Sequence, residues 1–462
     1  MLTRIANEDS RLSLWLHVRM YAVPAPMIET ATARRLAGDW AGACAAARLD
    51  VDLTPRSVAR THGRETAARV RADLRRLAPD LLRWHMPRVA PDGVLRPGLT
   101  LQLARYDTEE GPLRLVARTP PGWADAGQRI SLALWDGSRD RPGARRHPHP
   151  RPDRRFRFDL HRHLWDAERS GELPARSGSR PQDGAGRHPL IPHGPGCAVD
   201  RWAAEAAILL RAEGRSRGAV AVRLGGRNRL VLHVDPDISG PPPPVPRITP
   251  WPAGGDTAAL PLLPDAATWV PPDLELLRAG LIEKDLLHPL VAAALSPGWT
   301  PGRSPTRDGP GRPRLVECRG ERHRIGLVDG VLTALDHGRD EIRREELLAE
   351  LTGTPLPCLQ AIDTAHRQPD CLADVRGRLD HGDTAAALAA VESLIGPDAQ
   401  PRDGALRDEL ATAAERRLAH ALYRADLWNP WPGPRTGPVP RLAPHEDSRT
   451  GHRSRPRLAH AR

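Results

Sequence analysis

The chain has 462 residues, 40% of them hydrophobic, and a mean hydropathy of −0.48. Its formal net charge of +11 is carried by arginine, since Lys284 is the single lysine among 68 basic residues. The length suffices for two or three domains with real cores, and no apolar run approaches the roughly 20 residues of a membrane helix.

Residues 1–90 read as helical. The periodicity predicts helices over Asn7–Met20, Met27–Ala37 and Trp40–Leu49. Gly38 suits the left-handed residue that ends a helix, and Asp39 the cap of the next. Thr54-Pro55 is another start signal. Arg64–His85 places Ala67, Val70, Leu74, Leu77 and Leu81 on one stripe, with Pro79 as a kink or break. Residues 53–74 come close to a helix-turn-helix, but Val70 falls one position late, so an ordinary helical hairpin is expected.

Residues 94–165 read as four half-buried strands without intervening helices: Leu99–Tyr106, Leu113–Thr119, Ile130–Trp135 and Arg154–Leu164. In each, apolar residues alternate with polar ones, the period of a strand with one wet face. That pattern predicts an antiparallel sheet. Residues 170–197 are rich in Pro, Gly, Ser and Arg and are expected to lack regular structure. Asp200–Glu213 reads as a helix capped by Asp200. The alternation Val220-Val222-Leu224 and Leu230-Leu232-Val234 predicts a hairpin that extends the same sheet.

Residues 236–257, 297–313 and 430–462 are also expected to be irregular. A small meander is predicted at 314–336, turning at Asp329-Gly330. After it only helices are expected, over 340–351, 356–367, 371–380, 384–395 and 404–423. Gly382-Asp383 repeats Gly38-Asp39 with the same alanine spacing. These two openings resemble the helix hairpins of tetratricopeptide-like folds; convergent capping gives the same pattern.

The reading is therefore an α+β chain: a helical region at 1–90, a central antiparallel β-rich domain at 94–250, a helical domain with the meander at 258–428, and an Arg/Pro tail at 429–462. The excess charge is local. Segment 136–155 holds seven Arg and three Asp, and 431–462 holds seven Arg, one Glu and one Asp. The body is near neutral, so only weak, salt-sensitive nucleic-acid binding through these segments is expected.

Asp159, His161 and His163 alternate along the fourth predicted strand. Two imidazoles and a carboxylate on one face are suitable zinc or iron ligands, with His233 a candidate to complete them. Asp159-Leu160-His161-Arg162-His163 resembles the D-L-H-x-H strand of amidohydrolases and of polymerase-and-histidinol-phosphatase-type phosphoesterases. The resemblance implies metal binding by both histidines. Those families set the motif in a barrel of alternating strands and helices, which this chain does not show.

Arg145–Pro150 could meet phosphate or metal, and Glu317, Cys318 and His323 fall on one hairpin. The five cysteines form no C-x-x-C pair, so no zinc knuckle or disulfide scaffold is indicated, and no cofactor is expected. Stretches such as Ile130–Gly137 and Arg314–Cys318 resemble actinobacterial-type proteins to which no activity attaches. Three functions are open: a cytoplasmic, non-catalytic interaction protein with a protein partner, which leads; a nucleic-acid-associated protein; and a metal-dependent hydrolase on Asp159, His161 and His163.

Overall fold

The computed structural model describes residues 11–138, 147–177, 188–191, 196–225, 228–234, 247–252, 260–296, 298, 314–318, 320–353 and 355–427. The fold is α+β, with helices at both ends and several small, mostly antiparallel sheets.

A helix over 11–17 continues as a π-helical turn, Val18–Ala22. Helices α1 (Ala25–Leu36) and α2 (Trp40–Ala46) follow. Gly38 has φ +79°, and the Asp39 carboxylate accepts the Gly42 N–H at 2.8 Å, as the Gly-Asp pair predicted. The chain then forms β1 (Leu49–Val51), absent from the sequence reading. Helix α3 (Pro55–Arg76) is bent at Gly63, and α4 (Pro79–His85) begins at Pro79, which splits the expected long helix. Strands β2 (Arg88–Val89) and β3 (Val94–Leu95) pair as a short ribbon.

The main sheet has the order β1-β6-β5-β4, with β4 (Thr100–Thr108), β5 (Gly111–Arg118) and β6 (Ile130–Trp135) forming the predicted antiparallel meander. Strand β1 joins β6 in parallel, Leu49 opposite Ile130. Three residues are too few to show a period of two, which hid β1 in the sequence.

The fourth predicted strand is a correction. Residues 154–164 fold into successive turns: Phe156 N–H bonds Asp153 O, Leu160 N–H bonds Arg157 O, and His161 N–H bonds Phe158 O. A 3₁₀ turn at Arg162–Leu164 closes the segment. It lies along the β4 edge through one bridge, Gln102 to Arg157. Phe156, Phe158 and Leu164 are buried as the alternation implied.

The hairpin at 218–235 is a second correction. Strands β7 (Gly218–Arg223) and β8 (Arg229–Val234) pair with β9 (Arg247–Pro250) in a sheet separate from the main one. Its inner face is covered by α5 (Val199–Ala212) through Trp202, Ala206, Leu209 and Leu210. The cap of α5 falls on Ala198, and Asp200 sits inside the first turn. Two stretches expected to be irregular are partly ordered. Within 170–197, Leu173–Arg176 is a helical turn; within 236–257, β9 is a strand. Of 297–313 all but residue 298, and the whole of the tail 429–462, both also expected to be irregular, lie outside the described residues.

Short helices α6 (Asp265–Thr268), α7 (Pro272–Arg278) and α8 (Pro289–Leu295) follow. Leu276, Ile282, Leu287, Val291 and Ala292 join the first core, whose other buried residues run from Leu14 to Leu173. The meander consists of β10 (Arg314–Cys318), β11 (Glu321–Val328) and β12 (Val331–Ala334). Its turn has Asp329 at φ +51° and Gly330 at φ +76°, the two left-handed residues such a hairpin needs. The last helices are α9 (Arg339–Thr352), α10 (Pro357–Arg367), α11 (Leu372–Asp380), α12 (Thr384–Ile395) and α13 (Ala405–Ala425), close to the predicted spans.

The C-terminal helices return to the first core. The backbone carbonyl of His381 accepts from Arg48 Nη1 at 2.7 Å and faces the buried Arg83, while His381 Nε2 donates to Asp92 O at 2.9 Å. A Cβ on Gly382 would come within 2.2 Å of Gly127 O, so only glycine permits this approach.

Candidate metal centre

The meander places side chains by strand alternation. Val316 pairs with His323 across β10 and β11, and Val316 and Cys318 share a face. His323 and Cys318 therefore point to the same side, as does Ile325 opposite Ala334. Against this face packs α10, whose Cys358 and Ile362 complete a small core with Cys318, Ile325 and Ala334. Cys358 lies in the first turn of α10, just after Pro357, where the N-terminal end of the helix dipole favours a thiolate.

His337 comes from the segment between β12 and α9. Leu335 N–H bonds Arg324 O at 2.8 Å, and Arg324 N–H bonds the Asp336 carboxylate at 2.7 Å. The Arg324 guanidinium adds a second contact to Asp336 at 2.7 Å and holds that exposed carboxyl down at about 2. These bonds prolong the β11 pairing past β12 and aim His337 at His323.

The outcome is a cluster of two cysteines and two histidines. One donor atom from each of Cys318, His323, His337 and Cys358 lies within 4.8 Å of all the others. His323 Nδ1 is 2.6 Å from His337 Nε2, and Cys358 Sγ is 3.9 Å from His323 Nδ1. Zinc bonds of about 2.3 Å to sulfur and 2.0–2.1 Å to nitrogen put tetrahedral donors about 3.3–3.8 Å apart. The two imidazoles need to open by less than about 1 Å to match that spacing.

Both sulfurs are buried. Burial, then the adjacent Cys318 sulfur, pushes the Cys358 thiol up to about 11. Two thiolates side by side repel, and a divalent cation removes that cost. His337 Nδ1 lies 3.3 Å from Glu341 Oε1, one helical turn further on. A carboxylate there holds the proton on Nδ1 and leaves the Nε2 lone pair facing the cluster, the usual support for a metal-bound histidine. Two cysteine sulfurs and two imidazoles brought this close together make a donor set that suits zinc among common divalent ions.

Asp159, His161 and His163 are arranged differently. The Asp159 carboxylate receives two bonds from Arg157, each 2.9 Å, and one from Gln102 Nε2 at 2.9 Å. His161 and His163 are buried, 1% and 3% exposed, which corrects the expected wet face. His161 faces Arg157 O through Nδ1 at 3.0 Å and Glu205 Oε2 through Nε2 at 3.2 Å. Burial, then neighbouring His161, drives the His163 pKa well below its ordinary value. Burial opposes charge on Glu205, but Arg176 and His161 outweigh it and hold the carboxyl down at about 2. His233 pairs with Thr249 Oγ1 at 3.0 Å across β8 and β9. Among the described residues, the Cys318 cluster is the group of three or more such side chains whose donor atoms converge.

His147, from the Arg145–Pro150 loop, is also buried; its Nε2 donates to Thr119 O at 2.9 Å, and burial lowers its pKa to about 4. Arg145 and Arg146 lie outside the described residues.

Sequence reasoning paired Cys318 with His323 and missed His337 and Cys358. A signal was present: the interval between Cys318 and Cys358 contains just two histidines, and both are in the cluster. The spacing, C-x4-H-x13-H-x20-C, has none of the short knuckles that a zinc search relies on. Compared with family models, curated proteins and solved structures, the chain matches none.

Proposed function

We propose that the protein is a non-catalytic scaffold whose C-terminal module, residues 314–367, is set by one structural zinc ion. The observation that carries this reading is the closed donor set. Four protein ligands saturate a tetrahedral ion and leave no position for a substrate or an activated water. Metal here fastens the meander to α10 and fixes both ends of α9 between its third and fourth ligands. That helix has no buried residue and exposes Leu347, Leu348 and Leu351, which fits a module that presents a surface to a protein partner.

The test is metal analysis of the full-length protein after dialysis, with thermal melting. One equivalent of zinc is expected, a chelator should lower the melting temperature, and Cys358→Ser should lose both the metal and the chelator response. Protein that takes up no zinc, or a Cys358→Ser chain that keeps a full equivalent, overturns the reading.

A further inference from the structure

A second site lies far from the cluster in sequence, where the first core meets the segment that carries α6 and α7. A cavity of about 240 Å³ opens there. That is slightly below the roughly 300–1,000 Å³ of pockets for drug-sized ligands, so its occupant is small. Its walls are flat: Trp15, Phe156, Phe158 and Trp269 line it, with Leu164 and Val270. Arg155 stacks over Phe156 at 5.0 Å and Arg11 over Trp269 at 5.5 Å, which stiffens two of these walls.

The polar groups of the cavity are unequally satisfied. Arg155 is paired with Asp265, Nη2 to Oδ2 at 2.6 Å, and Arg11 with Glu275 at 3.1 Å. Among the described residues neither Arg88 nor Arg96 has a carboxylate partner. Arg88 donates to the carbonyls of Gly93 at 3.1 Å and Arg83 at 2.5 Å, and its Nε is buried without a partner. Arg96 is exposed and meets no ion-pair partner among the described residues. His85, whose side chain is 5% exposed, has its Nε2 buried without a hydrogen bond, 4.0 Å from Asp273 Oδ2. Buried polar atoms without partners are costly, and the residues that carry these two, Arg88 and His85, both line the cavity.

We propose that this cavity binds a small, flat, apolar molecule ending in a carboxylate. The aromatic walls take the ring system, and Arg88 and Arg96 take the anion. A neutral ligand of the same shape leaves both arginines without a counter-charge and binds less well.

Calorimetric titration of the full-length protein with 2-naphthoate and its neutral isostere 2-naphthamide tests this. One equivalent of naphthoate is expected to bind, at least about tenfold more tightly than the amide. Arg96→Gln, at an exposed position that the fold does not need, should weaken naphthoate by about fivefold or more and leave the amide unchanged. Ala266→Trp fills the cavity and should abolish both; circular dichroism checks its fold, and Arg96→Gln carries the test if that chain fails to fold. No binding of naphthoate, equal affinity for acid and amide, or indifference to Arg96→Gln overturns the proposal.

Discussion

Residues Asp159 to His163 and the set Cys318, His323, His337 and Cys358 offer the same kinds of donor, and the fold treats them in opposite ways. In the first, every acid or imidazole with a hydrogen-bond partner has it from the protein: Arg157 and Gln102 for Asp159, Glu205 and a carbonyl for His161. In the second, the donors face one another. Adjacency in sequence put the first group into consecutive turns, where arginines were within reach. Separation let the second group arrive from a strand end, a strand, a connection and a helix start, and so surround a point. A metal centre needs convergence, and close spacing along the chain is neither necessary nor sufficient for it.

The sharpest way to probe the first region is to remove its acid. Glu205→Ala takes from the half-buried Arg176 the carboxylate that receives two of its bonds, leaving it only the more distant Glu172, and should cost about 3 kcal/mol of stability. Urea denaturation measures it; a loss under about 1 kcal/mol would mean that water replaces Glu205. The same change should leave zinc content untouched if the two regions are independent.

Acid separates them next. His85 and His147 are held down at about 4 by burial, against about 6.5 in the unfolded chain. Because the unfolded state binds the extra proton first, their contribution is complete above about pH 6.5 and is lost as pH falls toward 4. Each group removes about 1.4 kcal/mol per pH unit in that window. Glu205 adds its own loss only from about pH 4.5 down to 2. Melting temperature should thus decline from near pH 6.5, and should do so in Cys358→Ser as well, where metal ligands no longer contribute. A flat profile down to pH 5 contradicts the buried, neutral histidines.

The smallest expected effect is on the support of the metal. Glu341→Gln keeps all four ligands and weakens the hold on the His337 proton, so zinc affinity should fall about 10- to 100-fold, which lowers the stability of the holo protein at a fixed free zinc by about 1.4–2.7 kcal/mol and leaves the metal-free protein unchanged. Competition with a chromophoric chelator reads this. Unaltered affinity would mean that Glu341 plays no part in orienting His337.

Much of this was legible in the sequence. The meander β4-β5-β6, the hairpins at Gly218 and Asp329-Gly330, and the five C-terminal helices follow from period and turn chemistry, because each is a local pattern. What was missed is non-local. The alternation at Phe156-Phe158 reported the burial of those two rings correctly, but it implied a strand where the chain turns and a wet face where His161 and His163 are buried. The hairpin at 218–235 was assigned to the wrong sheet because nothing in its own residues names β9 or α5 as partners. His337 and Cys358 were invisible as ligands until the Asp336–Arg324 bonds and the packing of α10 brought them beside Cys318.

The contacts around His381 give the chain a closed course. Helix α8 ends in the first core, and the chain returns to that core at α11, where Arg48 and Arg83 meet the His381 carbonyl. The metal module thus sits on an arc pinned at both ends, not on a free tail. If the cluster holds zinc as proposed, loss of the ion would slacken the arc without releasing it. Its four ligands stay at a high local concentration around one another, because the closure entropy of a pinned loop has already been met by its anchors. Reassembly when zinc returns is then an intramolecular event, independent of protein concentration.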